Sequence, residues 1–253
     1  MKKKELKGLY LIVLILAVWA AGSHYDIWNS YIIPPPSKII ESFVRLTANG
    51  RLIKHIGISL QRIFTGFSIT VVMAVPLGIF FGAFTDIYLY FKTLFEFMRH
   101  TPPLALIPMI ILWFGIGETS KIVIIVLASF FPVFLNVLKG VGGCDQKYIE
   151  VGQVFNMSGK DIFLKIILPN SVPDILIGLK LGIGYSWRAI IGAELIAASS
   201  GIGYLILDAQ QISRSDIVML GIIVIGVLGI VTDSLFSLLV SAYIKRKQGD
   251  CFE

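Results

Sequence analysis

The chain is a succession of long apolar runs separated by shorter polar ones. Six runs read as membrane spans: 8–28, 63–84, 88–114, 121–138, 174–197 and 217–244. Their lengths lie near the roughly 20 residues that a helix needs to cross a bilayer core of about 30 Å. The third run is broken by TPPLALIP at 101–108. Prolines there kink or shorten the helix, and neighbouring helices must satisfy the backbone groups they free. The first run follows Lys2, Lys3, Lys4 and Lys7 and ends near Ala20, Ala21 and Gly22. A cleaved signal peptide has a similar pattern, but a retained first helix fits better with a chain of five further spans.

Two polar intervals carry structure of their own. In IIPPPSKIIESFVRL, Pro34, Pro35 and Pro36 stop the chain, and Ile39, Ile40, Phe43 and Val44 then recur at helical spacing. This predicts an amphipathic helix, either lying at the membrane interface or packed as an ordinary loop helix. The second interval, EVGQVFNMSGKDIFLKIILPNSVPDI at 150–175, holds two lysines, three acids and two prolines between apolar runs. It reads as two short helices. Asn156 is the expected break, because Asn tolerates the left-handed conformation that closes helices. Ser158 has the right type for an N-cap, and Asp161 stands three residues on, as in a capping box. Val154, Phe155, Ile162, Phe163, Ile166 and Ile167 give both helices apolar faces. Such a segment is a docking surface for another protein or a folded loop that packs on its own bundle.

Composition supports a polytopic membrane protein. Of 253 residues, 56% are hydrophobic and only 15% charged, against about 25% charged in soluble domains. The net charge of +6 is spread between spans, which argues topology rather than a nucleic-acid surface. With six spans, thirteen Lys and Arg fall on the face holding both termini and the 139–173 segment, and seven on the other. That asymmetry favours the face with both termini and the polar segment as the cytoplasmic one.

The 150–169 stretch resembles the signature loop of permease subunits of binding-protein-dependent ABC importers. That pattern is Glu-Ala-Ala, three residues, Gly, nine residues, then Ile-x-Leu-Pro. Here it falls on Glu150, Val151, Gly152, Asn156, Ile166, Leu168 and Pro169 with every spacing kept. Gly152 stands for the second Ala and Asn156 for the Gly. PPPSKII, SLQRIFTGF, TPPLALIPMIILWFGIGE, YSWRAIIGAELI and GIGYLI are similar to the subfamily that imports nitrate, sulfonates, taurine or bicarbonate. The resemblance implies an all-α, type I (MetI-like) permease fold. It implies a second permease subunit, forming a homodimer, a pair of ATPase subunits and an external solute-binding protein. The solute would be small and anionic. Glu150, Val151, Gly152, Asn156, Ser158, Asp161, Ile166, Leu168 and Pro169 would form the ATPase-docking loop. The implied organisation is a first helix with an amphipathic segment over 1–62, a five-span core over 63–244 with a coupling loop at 145–173, and a cytoplasmic tail over 245–253. The chain has no phosphate loop: its one Gly-Lys pair, Gly159-Lys160, lacks the glycine five residues earlier. ATP would therefore be bound by a partner, with no cofactor on this chain.

Three charges fall inside apolar runs: Arg188, Glu194 and Asp233. Each costs roughly 2.5–3.5 kcal/mol at the bilayer centre on insertion scales, so each should face the bundle interior or a water-filled path. Arg188 and Glu194 are about 120° apart around a helix and do not suit an internal pair. Arg188 and Asp233 lie at similar depth and suit a structural pair; alternatively Arg188 lines the pathway and attracts an anion. Without ATP, these charges would be the coupling groups of a secondary transporter, although no inverted repeat is visible. Gly178 and Gly182, spaced small-xxx-small, are candidates for close helix packing, including a dimer contact. Trp19, Trp28, Trp113 and Trp187 sit mostly near span ends, where interfacial aromatic belts are expected. His24, His55 and His100 share no ligand spacing with each other or with Cys144 and Cys251, so no metal site is expected. Both cysteines fall on the reducing side, against a disulfide.

Overall fold

A computed structural model describes residues 3–249. Among these the chain is helical, without strands. Eleven α-helices follow in order: α1 Lys3–His24, α2 Pro36–Ala48, α3 Arg51–Ala83, α4 Thr85–His100, α5 Ile107–Phe114, α6 Glu118–Gly142, α7 Gln146–Val154, α8 Gly159–Ile162, α9 Leu168–Ala197, α10 Ile202–Gln211 and α11 Ser215–Gly249. A 3₁₀ turn at Pro103–Leu106 precedes α5, and a π turn at Phe163–Ile167 joins α8 to α9. Cys251 and the expected tail beyond residue 249 lie outside the described residues.

Four helical stretches are long and apolar enough to cross a membrane: Arg51–Ala83, Glu118–Gly142, Gly159–Ile196 and Ser215–Leu238. The expected third span is instead a bent pair, α4 followed by Pro103–Phe114, with 80° between its halves. The cause is local. Pro102 and Pro103 have no N–H to continue the α4 ladder, and Pro108 sits in the first turn of α5, where its missing donor costs nothing. Gly115 then closes α5 at φ +75°, a conformation that favours glycine. The described apolar part of α1 is Val13–His24.

The chain divides into two compact units. One comprises Met1–Ile58 and Ser199–Val227, the other Ser59–Ala198 and Leu228–Glu253. In the first, Pro36 opens α2 at N1 or N2, as the triple proline predicts. Ile39 and Leu46 are buried while Ile40, Phe43 and Val44 are exposed, so the apolar residues of α2 divide between an inner and an outer face. Asp216 at the start of α11 accepts from the Ser42 hydroxyl of α2 and is paired with Arg214 at 2.7 Å. Arg51 pairs with Asp208 of α10 at 2.6 Å.

The second unit holds the larger core. α6 and α9 pack against each other along much of their length, and Ile107, Ile110, Ile124, Ala128, Ala189 and Ala193 join α5 to that pair. Phe81, Phe95, Phe131 and Phe134 make an edge-to-face cluster between α3, α4 and α6, with the Phe95 and Phe134 centroids 5.1 Å apart. Thr70 and Ser129 share a buried hydroxyl contact at 2.7 Å and also bond back to the Gly66 and Ile125 carbonyls of their own helices. Such contacts link spans where few other polar partners exist.

Gly178 and Gly182 allow the α6–α9 approach. A Cβ on Gly178 would lie 2.8 Å from Asn136 Cβ, and one on Gly182 would lie 2.5 Å from Val133 Cγ2. This face of α9 is therefore occupied by α6 of the same chain, which leaves no room there for the dimer contact considered above. Trp187 also departs from the belt expectation. It is buried, and its indole N–H donates to Thr232 Oγ1 at 2.9 Å. Depth along the span alone did not reveal that it faces α11.

Candidate functional site: a capped polar segment and a buried charge network

The polar segment folds as two helices held at a fixed turn. Asp145 caps α7 by accepting from the Lys147 N–H at 3.0 Å. At the other end of α7, Asn156 stands at φ +53°. Its N–H bonds the Gln153 carbonyl, and the Met157 N–H bonds the Gly152 carbonyl, a Schellman closure. Ser158 Oγ accepts from the Asp161 N–H at 3.1 Å and donates to the Asp161 carboxylate at 2.6 Å. Lys165 Nζ reaches the same carboxylate at 2.6 Å.

Gly152 explains the close approach of the two short helices. It is buried, and a Cβ there would meet Ile166 Cδ1 at 2.8 Å and Ile162 Cγ1 at 3.0 Å. The rest of α7 faces outward. Glu150 is exposed, as are Tyr148, Val151, Val154 and Phe155, the last two by 79% and 75%. The segment thus presents a compact apolar patch with one carboxylate, on a turn that four capping residues fix. Leu168 and Pro169 lie at the start of α9, where proline needs no donor. Cys144, just before α7, is a free thiol.

Glu194 belongs to a charge network that joins three helices. Its carboxylate is fully buried and takes Arg62 Nη1 of α3 at 2.8 Å. Ser59 Oγ donates to the same carboxylate at 2.8 Å. Arg62 turns its Nε and Nη2 to both oxygens of Glu118, each at 2.6 Å, a bidentate fork. Lys121 Nζ adds a contact to Glu118 at 3.1 Å. The buried Glu194 carboxylate is thus paired with the buried Arg62 guanidinium, the condition under which buried ions are tolerated, and Glu118 extends the network toward solvent.

Arg62, Ser59, Glu118 and Lys121 were not singled out as site residues from the sequence. Arg62 and Lys121 counted there as residues of the outer face, yet both are 3% exposed. A signal was present: Ser59 and Arg62 lie three apart, on one side of a helix, directly before an apolar run.

Arg188 and Asp233 do not meet. Asp233 instead lies 3.4 Å from Lys180 Nζ, with both groups substantially exposed. Lys180 is eight residues before Arg188 on α9, a little over two turns, and is the basic residue of that helix that faces Asp233. The Arg188 guanidinium sits over the Tyr185 ring, 5.2 Å from its centroid, and lines a cavity with Arg99.

These features define a helical, multi-pass membrane component with a capped polar segment. Residues 47–245 match the family described as "Binding-protein-dependent transport system inner membrane component", and the chain belongs to that family. It is 37% identical to the putative aliphatic sulfonates transport permease protein of Bacillus subtilis, over 95% of this chain and 87% of that protein. It is 33% identical to the taurine transport system permease protein of Escherichia coli, over 86% and 81%. A crystal structure of an amino acid ABC transporter shares the fold, with a TM-score of 0.63 at 19% identity, covering 81% of this chain and 97% of that one. Membership of a binding-protein-dependent family sets aside the ion-coupled secondary transporter.

Proposed function

We propose that the chain is the permease subunit of an ATP-driven importer in a bacterial-type inner membrane, with both termini cytoplasmic. Its α7–α8 segment docks an ATPase. Two permease subunits, paired as a homodimer, form the pathway. Two ATPase subunits bind the 145–173 segments, and an external binding protein delivers a small anionic solute. The printed names of the relatives, aliphatic sulfonates and taurine among them, support that solute class.

The observation that carries the reading is the outward apolar patch of Tyr148, Val151, Val154 and Phe155 beside Glu150. A loop that served only its own bundle would turn these residues inward. The Schellman turn at Asn156 and the cap at Ser158 make the segment stiff enough to transmit displacement. Closure of the ATPase pair would push on α7, and α9, which follows α8 through the π turn, would carry the motion into the membrane. ATP hydrolysis then occurs on the partner, and this chain is not itself an enzyme.

The test is purification of the tagged chain from native membranes with identification of the chains that accompany it. Wild-type protein brings down an ATPase, and Glu150→Arg together with Phe155→Asp brings down at least tenfold less. Equal recovery with the double variant would remove the segment as the docking site.

A further inference from the structure

Two cavities of the first unit lie end to end where α11 begins. One, of about 510 Å³, is an apolar groove lined by Leu14, Ile15, Val18 and Trp19 of α1 together with Ile33 and Met219. The other, of about 340 Å³, is a polar cleft whose charged residues are Lys38, Glu41, Arg214 and Asp216. Their walls run on from one another. Ile33 lines the groove and Pro34 the cleft, and Met219 of the groove stands one turn of α11 beyond Ser215 of the cleft. The connection from α1 to α2 is pinned at this junction. The Trp19 indole N–H donates to the Pro34 carbonyl at 3.2 Å, and the Ser215 hydroxyl donates to the Tyr31 carbonyl at 2.6 Å.

This is the placement of a lipid head and tail. The apolar span of α11 starts at Ser215, so the cleft marks the edge of the apolar layer. Leu14 lies ten residues before the end of α1 at His24. That is about 15 Å of helix, or one leaflet of a core about 30 Å thick. Leu14, Ile15 and Val18 are all exposed along it.

The charges of the cleft are already sorted. Arg214 holds Asp216 through Nε and Nη2 at 2.9 and 2.7 Å, and the Ser42 hydroxyl donates to the same carboxylate. Lys38 and Glu41 are exposed, and neither enters an ion pair among the described residues. They stand three apart on α2, where Cβ atoms are about 5–6 Å from each other. The open groups are therefore one ammonium and one carboxylate, side by side at the mouth of an apolar groove.

We infer that the groove and the cleft together hold one phospholipid with a primary-amine headgroup, of the phosphatidylethanolamine kind. Its phosphate accepts from Lys38 Nζ, its ammonium donates to the Glu41 carboxylate, and an acyl chain lies along Leu14, Ile15 and Val18. Hydrogen bonds between ionised groups are the strong ones. Phosphatidylglycerol has a phosphate for Lys38 but no cation for Glu41. Phosphatidylcholine has a cation but no N–H to donate. The site does not depend on the ATPase-docking reading and is tested apart from it.

The experiment is native mass spectrometry of the purified chain, with the subunits that accompany it, in uncharged detergent containing equal amounts of dioleoyl phosphatidylethanolamine, phosphatidylglycerol and phosphatidylcholine. The wild type should retain the ethanolamine lipid about tenfold more than the glycerol lipid, the size of one hydrogen bond between charged groups, with the choline lipid between them. Glu41→Gln should erase that preference. Lys38→Gln should lower retention of the ethanolamine and glycerol lipids alike, by about tenfold. Val18→Trp, which narrows the groove from an exposed position, should lower retention of all three. Each variant is compared only if its unfolding midpoint in lipid-free detergent matches the wild type, and the wild-type comparison needs no variant. Equal retention of the three lipids by the wild type would mark ordinary bilayer contact and overturn the proposal, as would an undiminished preference in Glu41→Gln. If Val18→Trp keeps its lipid but splits a dimer, a second copy of the chain occupies the groove and the proposal falls.

Discussion

Arg62→Met tests whether the buried charge network joins α3, α6 and α9. Arg62 is 3% exposed and makes three hydrogen bonds to two carboxylates at 2.6–2.8 Å. Its removal takes the guanidinium away from Glu194, which is fully buried. Breaking a buried ion pair from one side costs about 3–5 kcal/mol. Glu118 adds little, because its side chain is 60% exposed and solvent-screened pairs contribute about 0–1 kcal/mol. At roughly 2–4 °C per kcal/mol for a chain of this size, the midpoint should fall by about 6–20 °C. Glu118→Gln should lower it by no more than about 4 °C. The double variant Arg62→Met with Glu194→Leu should recover most of the loss, because replacing both ions by apolar groups is often neutral. The assay is thermal unfolding of detergent-solubilised protein, followed by aggregation or intrinsic fluorescence. If Arg62→Met falls no further than Glu118→Gln, or the double variant is no better than the single, the network does not hold these helices together.

Three further changes have expected outcomes of different size. Gly152→Leu inserts a side chain where a Cβ alone already approaches Ile166 and Ile162 to 3.0 Å or less. Overpacking of about 1–3 kcal/mol should spread α7 from α8, and ATPase recovery in a pull-down should drop at least tenfold. Gly182→Leu pushes on Val133 and Phe67 and should destabilise the α6–α9 pair by a similar ~1–3 kcal/mol, visible as a lower unfolding midpoint. Asp233→Asn breaks a pair at 3.4 Å between groups 39% and 57% exposed, so the midpoint should move by less than the equivalent of about 1 kcal/mol.

Local signals were legible wherever chain chemistry acts within a few residues. The triple proline opens α2, Asn156 takes the left-handed turn and Ser158 caps α8, all as their side chains require. The TPPLALIP break was visible as a break, but its 80° bend was not, because bend angle depends on what Ile107 and Ile110 pack against. Long-range partners were the main gap. Arg188 and Asp233 are close in depth, yet depth leaves rotation about each helix axis undetermined, and Lys180 is the residue that faces Asp233. Arg62 and Lys121 were hidden for a related reason. A charge counted at the end of a span can still turn inward when Glu118 and Glu194 wait there.

The most direct test of the account is solute uptake into proteoliposomes holding this chain with the ATPase that co-purifies with it, supplied with the external binding protein. The account predicts that accumulation of a labelled alkanesulfonate requires both ATP and the binding protein, and that Glu150→Arg with Phe155→Asp abolishes it. Accumulation by the chain alone, driven by an ion gradient and indifferent to ATP, would contradict it.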